Sequence, residues 1–218
     1  RMGLEGYAPA TVGFIRFAVA SLILAVPLFK TGFPVLSRRQ MGELLLIGVV
    51  GTALYSILLN SGEQTITPGM ASFLIAQTPI MNACLAMIFL GERPSFNTIM
   101  AITISCAGVT IIVFGQPLET SFNLGLILVL MATVCGGIQS VLQKHMLAKL
   151  SALHVTCLST WWATIALGLC SLNVLEEIRH APLSATWAVV FLGIVPSSLG
   201  QWLWNYGLSK SLVAKASA

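Results

Sequence analysis

Long runs of apolar residues, broken at short intervals by clusters of charge, proline and glycine, set the pattern of this chain. The runs cover about 8–29, 42–62, 69–90, 95–115, 121–143, 152–173 and 185–208, and an eighth begins near Leu212. Each is close to the ~20 residues that a helix needs to cross ~30 Å of hydrocarbon. The connections, such as "KTGFPVLSRRQ", "GEQTITPG", "GERPS" and "KHMLAKLSA", leave no room for a soluble domain. The runs are unbroken rather than alternating, which predicts helices and not barrel strands. An all-α polytopic membrane protein with seven full spans and a truncated eighth is the expected fold. Composition agrees: 56% of residues are hydrophobic, 8% are charged, and mean hydropathy is +0.91. A soluble domain carries about 25% charged residues.

Charge predicts the orientation. One alternate set of connections holds Lys30, Arg38, Arg39, Arg93, Lys144, Lys149, Lys210 and Lys215, whereas the other holds only Arg1 and Arg179. Basic loops face the cytoplasm, so the first set is expected inside. The formal charge of +4 then reflects topology, and no nucleic-acid partner is expected.

The chain also repeats itself. Shifted by 145 positions, Gly48 falls on Gly193, Leu54 on Leu199, Leu58 on Leu203, Asn60 on Asn205, Gly62 on Gly207 and Ser72 on Ser217. An odd number of spans separates each helix from its copy, so the copies cross the bilayer in opposite senses. Inverted repeats of this kind build secondary transporters, with a site between the repeats exposed to each side in turn. Gly48, Thr52, Ser56 and Asn60 form one stripe at spacing four, and Gly193, Ser197, Gln201 and Asn205 form its copy. Such stripes serve close helix packing or line a cavity.

"PGMASFLIAQTPIMNACLAMIFLGERPSFNTIMAITISCAGVTIIVFG", Pro68 to Gly115, resembles the EamA domain of the drug/metabolite transporter superfamily. The resemblance rests on Ala71 and Ser72, Pro79, Leu90-Gly91-Glu92, and Gly108 to Gly115. "FIRFAVASLIL" is similar to the second helix of the same family, with Arg16 in its arginine position, and "LGLILVLMATVCGGIQSVLQKHM" to the opening helix of a second domain. The resemblance implies ten helices in two inverted repeats, here 1–115 without its first helix and 121–218 cut within its fourth. It implies a fragment that would not transport alone, and a location in the bacterial cytoplasmic membrane.

Candidate chemistry is polar and sparse. An arginine at the bilayer centre costs between about 3 and about 17 kcal/mol, depending on the method, so Arg16 must face protein or water. It reads either as a counter-charge to an anionic group such as a carboxylate, or as a guanidinium held by backbone carbonyls or reaching outward. Pro79 predicts a kink that frees the carbonyl of Ile75, with a gating bend as its functional reading. Tyr55, Ser56, Gln77, Asn82, Gln139, Gln201, Trp204 and Asn205 are the expected solute-binding residues; each alone also reads as an interhelical contact. Glu92 beside Arg93 reads as a helix cap. Trp161 and Trp162 read as packing or cavity lining, and Trp187 as an interfacial anchor. The five cysteines are scattered in apolar runs and behave as small hydrophobes.

No metal spacing, nucleotide loop or catalytic pair occurs in the sequence, so neither an enzyme nor a bound cofactor is expected. The reading is a secondary transporter, most simply an exporter, of small metabolites such as amino acids. Its partners would be a small-molecule solute, the lipid bilayer and a coupling ion or the solute's own gradient; the sequence sets no oligomeric state. Seven spans with an outside N-terminus leave one alternative, a seven-helix receptor or photoreceptor. Against that, the duplication has no role in such a protein, and no mid-span lysine lies in the last helix for retinal.

Overall fold

A computed structural model describes residues 6–90 and 120–210, with isolated positions between 96 and 108. The described residues are helical and turn-linked, without strands. The helices are α1 (Pro9–Thr31), α2 (Arg38–Gly62), α3 (Pro68–Ile75), α4 (Thr78–Leu90), α5 (Thr120–Leu147), α6 (Ala152–Cys170), α7 (Val174–His180) and α8 (Leu183–Lys210). Five of them, α1, α2, α5, α6 and α8, are long and apolar enough to cross a membrane. The expected run 95–115, Glu92 with Arg93, and the helix from Leu212 lie outside the described residues.

The run 69–90 is interrupted next to the residue expected to kink it. It is two helices, α3 and α4, separated at Ala76 and Gln77. The cause lies in Thr78 and Pro79. Proline has no N–H and is tolerated in a first turn, and here it opens α4. The carbonyl of Ile75, expected to be free, accepts from Thr78 Oγ1 at 2.5 Å.

Local chemistry fixes the helix ends. Ser37 and Gln40 form a reciprocal capping box on α2, with Gln40 N–H donating to Ser37 Oγ and Ser37 N–H to Gln40 Oε1. Ser151 accepts from His154 N–H at the start of α6. α1 begins on proline with no cap of its own. Glu177, in α7, supplies one from across the fold, accepting from Ala8 N–H at 2.8 Å and Thr11 Oγ1 at 3.1 Å. A carboxylate there also meets the positive end of the helix dipole.

α1 and α6, which the 145-residue shift lays on one another, run antiparallel. Along α1 the contacts descend along α6: Gly13 meets Leu167, Phe14 meets Gly168, Phe17 packs with Ala163 and Leu167, Ser21 Oγ bonds Thr164 Oγ1 at 2.8 Å, and Leu24 lies on Cys157. Two glycines let the neighbouring helices close on this pair. A Cβ on Gly48 would come within 2.5 Å of the Ser159 carbonyl oxygen, and one on Gly193 within 2.7 Å of the Arg16 carbonyl oxygen. Gly48 and Gly193 also correspond under that shift: α2 seats on α6 at the first, and α8 on α1 at the second.

The terminal asparagines of the two stripes behave alike. Asn60 Nδ2 donates to the Pro9 carbonyl at 2.9 Å, and Asn205 Nδ2 to Thr156 Oγ1 at 2.8 Å; each ties the end of its helix to the first turns of the preceding long one. Asn60→Leu should therefore cost about 0.5–1.5 kcal/mol, the net worth of one side-chain hydrogen bond, measured by unfolding in detergent micelles.

Both α2 and α8 widen into π-helical turns, over Ile47–Leu54 and Val195–Gly200. Tyr55 N–H reaches the Val50 carbonyl, and Gln201 N–H that of Pro196, five residues back. The two widened turns overlap under the 145-residue shift, which places Gly51 on Pro196. Proline removes a ladder bond in one copy. In the other, Gly51 allows close approach to Gln139, whose Cβ would lie 2.5 Å from a Cβ at residue 51.

The outer faces are apolar. Leu22, Phe29, Leu169, Leu183 and Phe191 are all exposed, a surface that suits acyl chains rather than water. Trp187, near the start of α8, is also exposed. Trp161 donates to the Ser21 carbonyl at 3.4 Å, and Trp162 packs against the cluster of Leu44, Ile47, Met146 and Val155; both are packing residues.

Candidate solute cavity

The break between α3 and α4, the widened turn of α2 and the middle of α5 face one another, with α8 closing the ring. Between them lies a cavity of about 350 Å³ lined by Tyr55, Ile75, Thr78, Asn82, Gly136, Gln139, Ser140, Gln201 and Trp204. Ligand pockets for small molecules start at about 300 Å³.

Five expected residues meet here: Tyr55, Asn82, Gln139, Gln201 and Trp204. Tyr55 directly follows the α2 π-helical stretch and Gln201 the α8 one. Gly136 leaves room for the Tyr55 ring, which lies 3.5 Å from where its Cβ would be. Gln139 is fixed by Nε2 donating to Thr52 Oγ1 at 3.1 Å, and Thr52 Oγ1 donates in turn to the Ile47 carbonyl at 3.3 Å. Asn82 is 1% exposed, and neither of its amide atoms has a hydrogen-bond partner among the described residues. A buried carboxamide normally finds partners. Facing a cavity, it presents one donor group and one acceptor to whatever enters.

The other four expected residues do not line the cavity. Ser56 lies in the seam between α1 and α2, where its Oγ would touch a Cβ on Gly13 and accepts from Asn60 Nδ2 at 3.4 Å. Asn205 bonds Thr156. Gln77 sits in the turn before α4, with Nε2 donating to the Phe73 carbonyl. Arg16 lies with its guanidinium 4.6 Å from the ring centroid of Phe17, and its buried Nε has no hydrogen-bond partner among the described residues.

Thr78, Gly136 and Ser140 line the cavity without having been singled out from the sequence, and Ile75 was expected only through its carbonyl. Thr78-Pro79, a helix-starting pair inside an apolar run, and the Gly136-Gly137 pair carried the available signal. Among the described residues no group of His, Cys, Asp and Glu is placed to hold a metal ion.

Comparison with known proteins decides the class. Residues 1–114 and 123–218 both match the EamA-like transporter family. The chain belongs to that family. Among its EamA relatives, the "Probable terminal-alkyne amino-acid exporter" of Streptantibioticus cattleyicolor is 32% identical over all of this chain and 73% of its own length. The "Uncharacterized transporter YdfC" of Bacillus subtilis is 32% identical over 90% of this chain, which spans 64% of that protein. The "Uncharacterized inner membrane transporter YedA" of Escherichia coli is 25% identical over 65% of this chain and 46% of its own. One solved crystal structure superposes on 99% of this chain and 76% of its own, with a TM-score of 0.70 and 15% identity, and so shares the fold. Family membership and the apolar helices make this an integral membrane protein of the transporter class. The receptor alternative falls with that finding.

Proposed function

We propose that this EamA chain carries a small polar solute, an amino acid or a close relative, through the cavity of Asn82, Gln139 and Gln201 by alternating access. The observation that carries the reading is the meeting of these three carboxamides with Tyr55 and Trp204, on helices from both halves of the chain. Carboxamides and a phenol offer donors and acceptors without net charge, which suits a zwitterion or a neutral polar molecule. Arg16, on α1 beside the helix that carries Tyr55, is the group that would draw a carboxylate to one end.

The mechanism is rocking of one inverted repeat against the other. Antiparallel α1 and α6, the exchanged seats of Gly48 and Gly193, and the matched π-helical turns all support that symmetry. Each half has a widened turn beside the cavity, and π-helical turns often mark functional sites. Here they are where α2 and α8 would flex. The basic connections holding Lys30, Arg38, Arg39, Lys144, Lys149 and Lys210 would face the cytoplasm of a bacterial inner membrane, and export would run away from them. An ion gradient or the solute's own gradient would drive it.

The test is counterflow in proteoliposomes made with the full-length gene product. Propargylglycine, a terminal-alkyne amino acid, is the first probe, followed by the common amino acids. Gln201→Leu should slow counterflow about tenfold, the equivalent of one hydrogen bond of ~1.4 kcal/mol. Failure of the unmodified protein to move any of these solutes overturns the reading.

A further inference from the structure

Two polar side chains continue the cavity-lining stripes one turn deeper. Gln143 follows Gln139 on α5 and Asn205 follows Gln201 on α8, each four residues on and therefore on the same helix face. Neither lines the cavity. Both are fully buried. Neither amide atom of Gln143, nor Asn205 Oδ1, has a hydrogen-bond partner among the described residues. Burying unpaired carboxamide atoms costs stability that a similarly shaped apolar side chain would not, so stability alone does not account for them.

Immediately beyond them the helices are tied shut. Lys144 Nζ donates to the Leu208 carbonyl at 2.8 Å, joining α5 to α8. His145 Nδ1 lies 2.9 Å from Glu43 Oε2, joining α5 to α2, and Glu43 Oε1 accepts from Arg39 Nε at 3.1 Å. Lys149 Nζ lies 3.2 Å from His145 Nε2 and completes the cluster. Gln143, Lys144 and His145 are consecutive, so the unpaired amides sit between the cavity and this clamp.

We infer that Gln143 and Asn205 form an inner hydrogen-bonding station, hidden by the Glu43–His145 and Lys144–Leu208 clamp, that receives the solute on the clamp side of the cavity. The inference rests on the transport reading above. The station carries no charge, so it takes the donors and acceptors of a neutral or zwitterionic molecule. Opening the clamp supplies the partners that the closed form denies these amides.

Accessibility tests the clamp without reference to any solute. In a background with Cys84, Cys106, Cys135, Cys157 and Cys170 replaced, Gln143→Cys is exposed to a cationic methanethiosulfonate reagent. Labelling should be slow with Glu43 in place and at least about tenfold faster with Glu43→Ala. Gly42→Cys, at an open position of α2, should label equally in both. Equal rates for residue 143 in the two backgrounds, slow or fast, overturn the clamp. The station is tested with Gln143→Met, expected to raise the melting temperature while cutting propargylglycine counterflow about tenfold. Unchanged counterflow with a raised melting temperature overturns the station. An unmodified protein that moves no solute sinks the transport reading instead, and the labelling rates still decide whether the clamp hides residue 143.

Discussion

Gly48→Ala and Gly193→Ala are each expected to destabilise the bundle by about 1–3 kcal/mol, the usual cost of forcing a methyl group into a filled seam. The added Cβ on Gly48 meets the Ser159 carbonyl oxygen at 2.5 Å and Trp162 Cβ at 2.6 Å; on Gly193 it meets the Arg16 carbonyl oxygen at 2.7 Å and Val19 Cβ at 2.8 Å. Backbone atoms cannot rotate away as a side-chain tip can. α2 must then lift from α6, or α8 from α1. Gly42→Ala is the control, since nothing lies within 4 Å of its new methyl. Alanine there should be neutral or stabilising by up to about 1 kcal/mol, because glycine is the poorer helix former. Denaturant titration in micelles reads all three. Equal stabilities would show that the helices sit further apart than described.

Asn82→Leu should separate stability from transport. Removing an unpaired buried carboxamide and filling its space with a branched apolar side chain should leave the fold unchanged or raise its stability by about 1 kcal/mol. Counterflow should fall by more than about tenfold, because the solute loses both a donor and an acceptor in a site with little water to replace them. Melting temperature and flux on the same preparation give the answer. A parallel fall of both would mark Asn82 as a structural residue.

Much of the helix content was legible because a membrane helix has few ways to hide. Length and apolar content locate α2, α5, α6 and α8 within a few residues. In the 69–90 run Pro79 signalled an interruption, but hydropathy alone does not show that the turn falls at Ala76 and Gln77. The widened turns were also invisible. Pro196 hints at one, whereas Gly51 is one small residue among many.

The site was legible in part, and for a definite reason. Spacing four names a stripe but not the neighbour it meets. Thr52, Ser56 and Asn60 were correctly placed on one inward face, yet that face is spent on Gln139, Gly13 and Pro9, whereas the copy of Ser56, Gln201, reaches the cavity. Ile75 and Ser140 join it because of where α3 ends and how α5 crosses α2, which are tertiary facts. Arg16 drew notice by its charge, but it is not among the residues that line the cavity, which only the packing of α1 shows.

The carboxylate that closes the first turn of α1 has a consequence for biogenesis. During synthesis α1 enters the lipid long before Glu177, Gly193 or the α6 surface exists. Its leading amides and its buried guanidinium must therefore wait in the bilayer with borrowed partners, whether lipid headgroups, water or an insertase. Cells that lack such an escort should lose this protein before α6, α7 and α8 have been made.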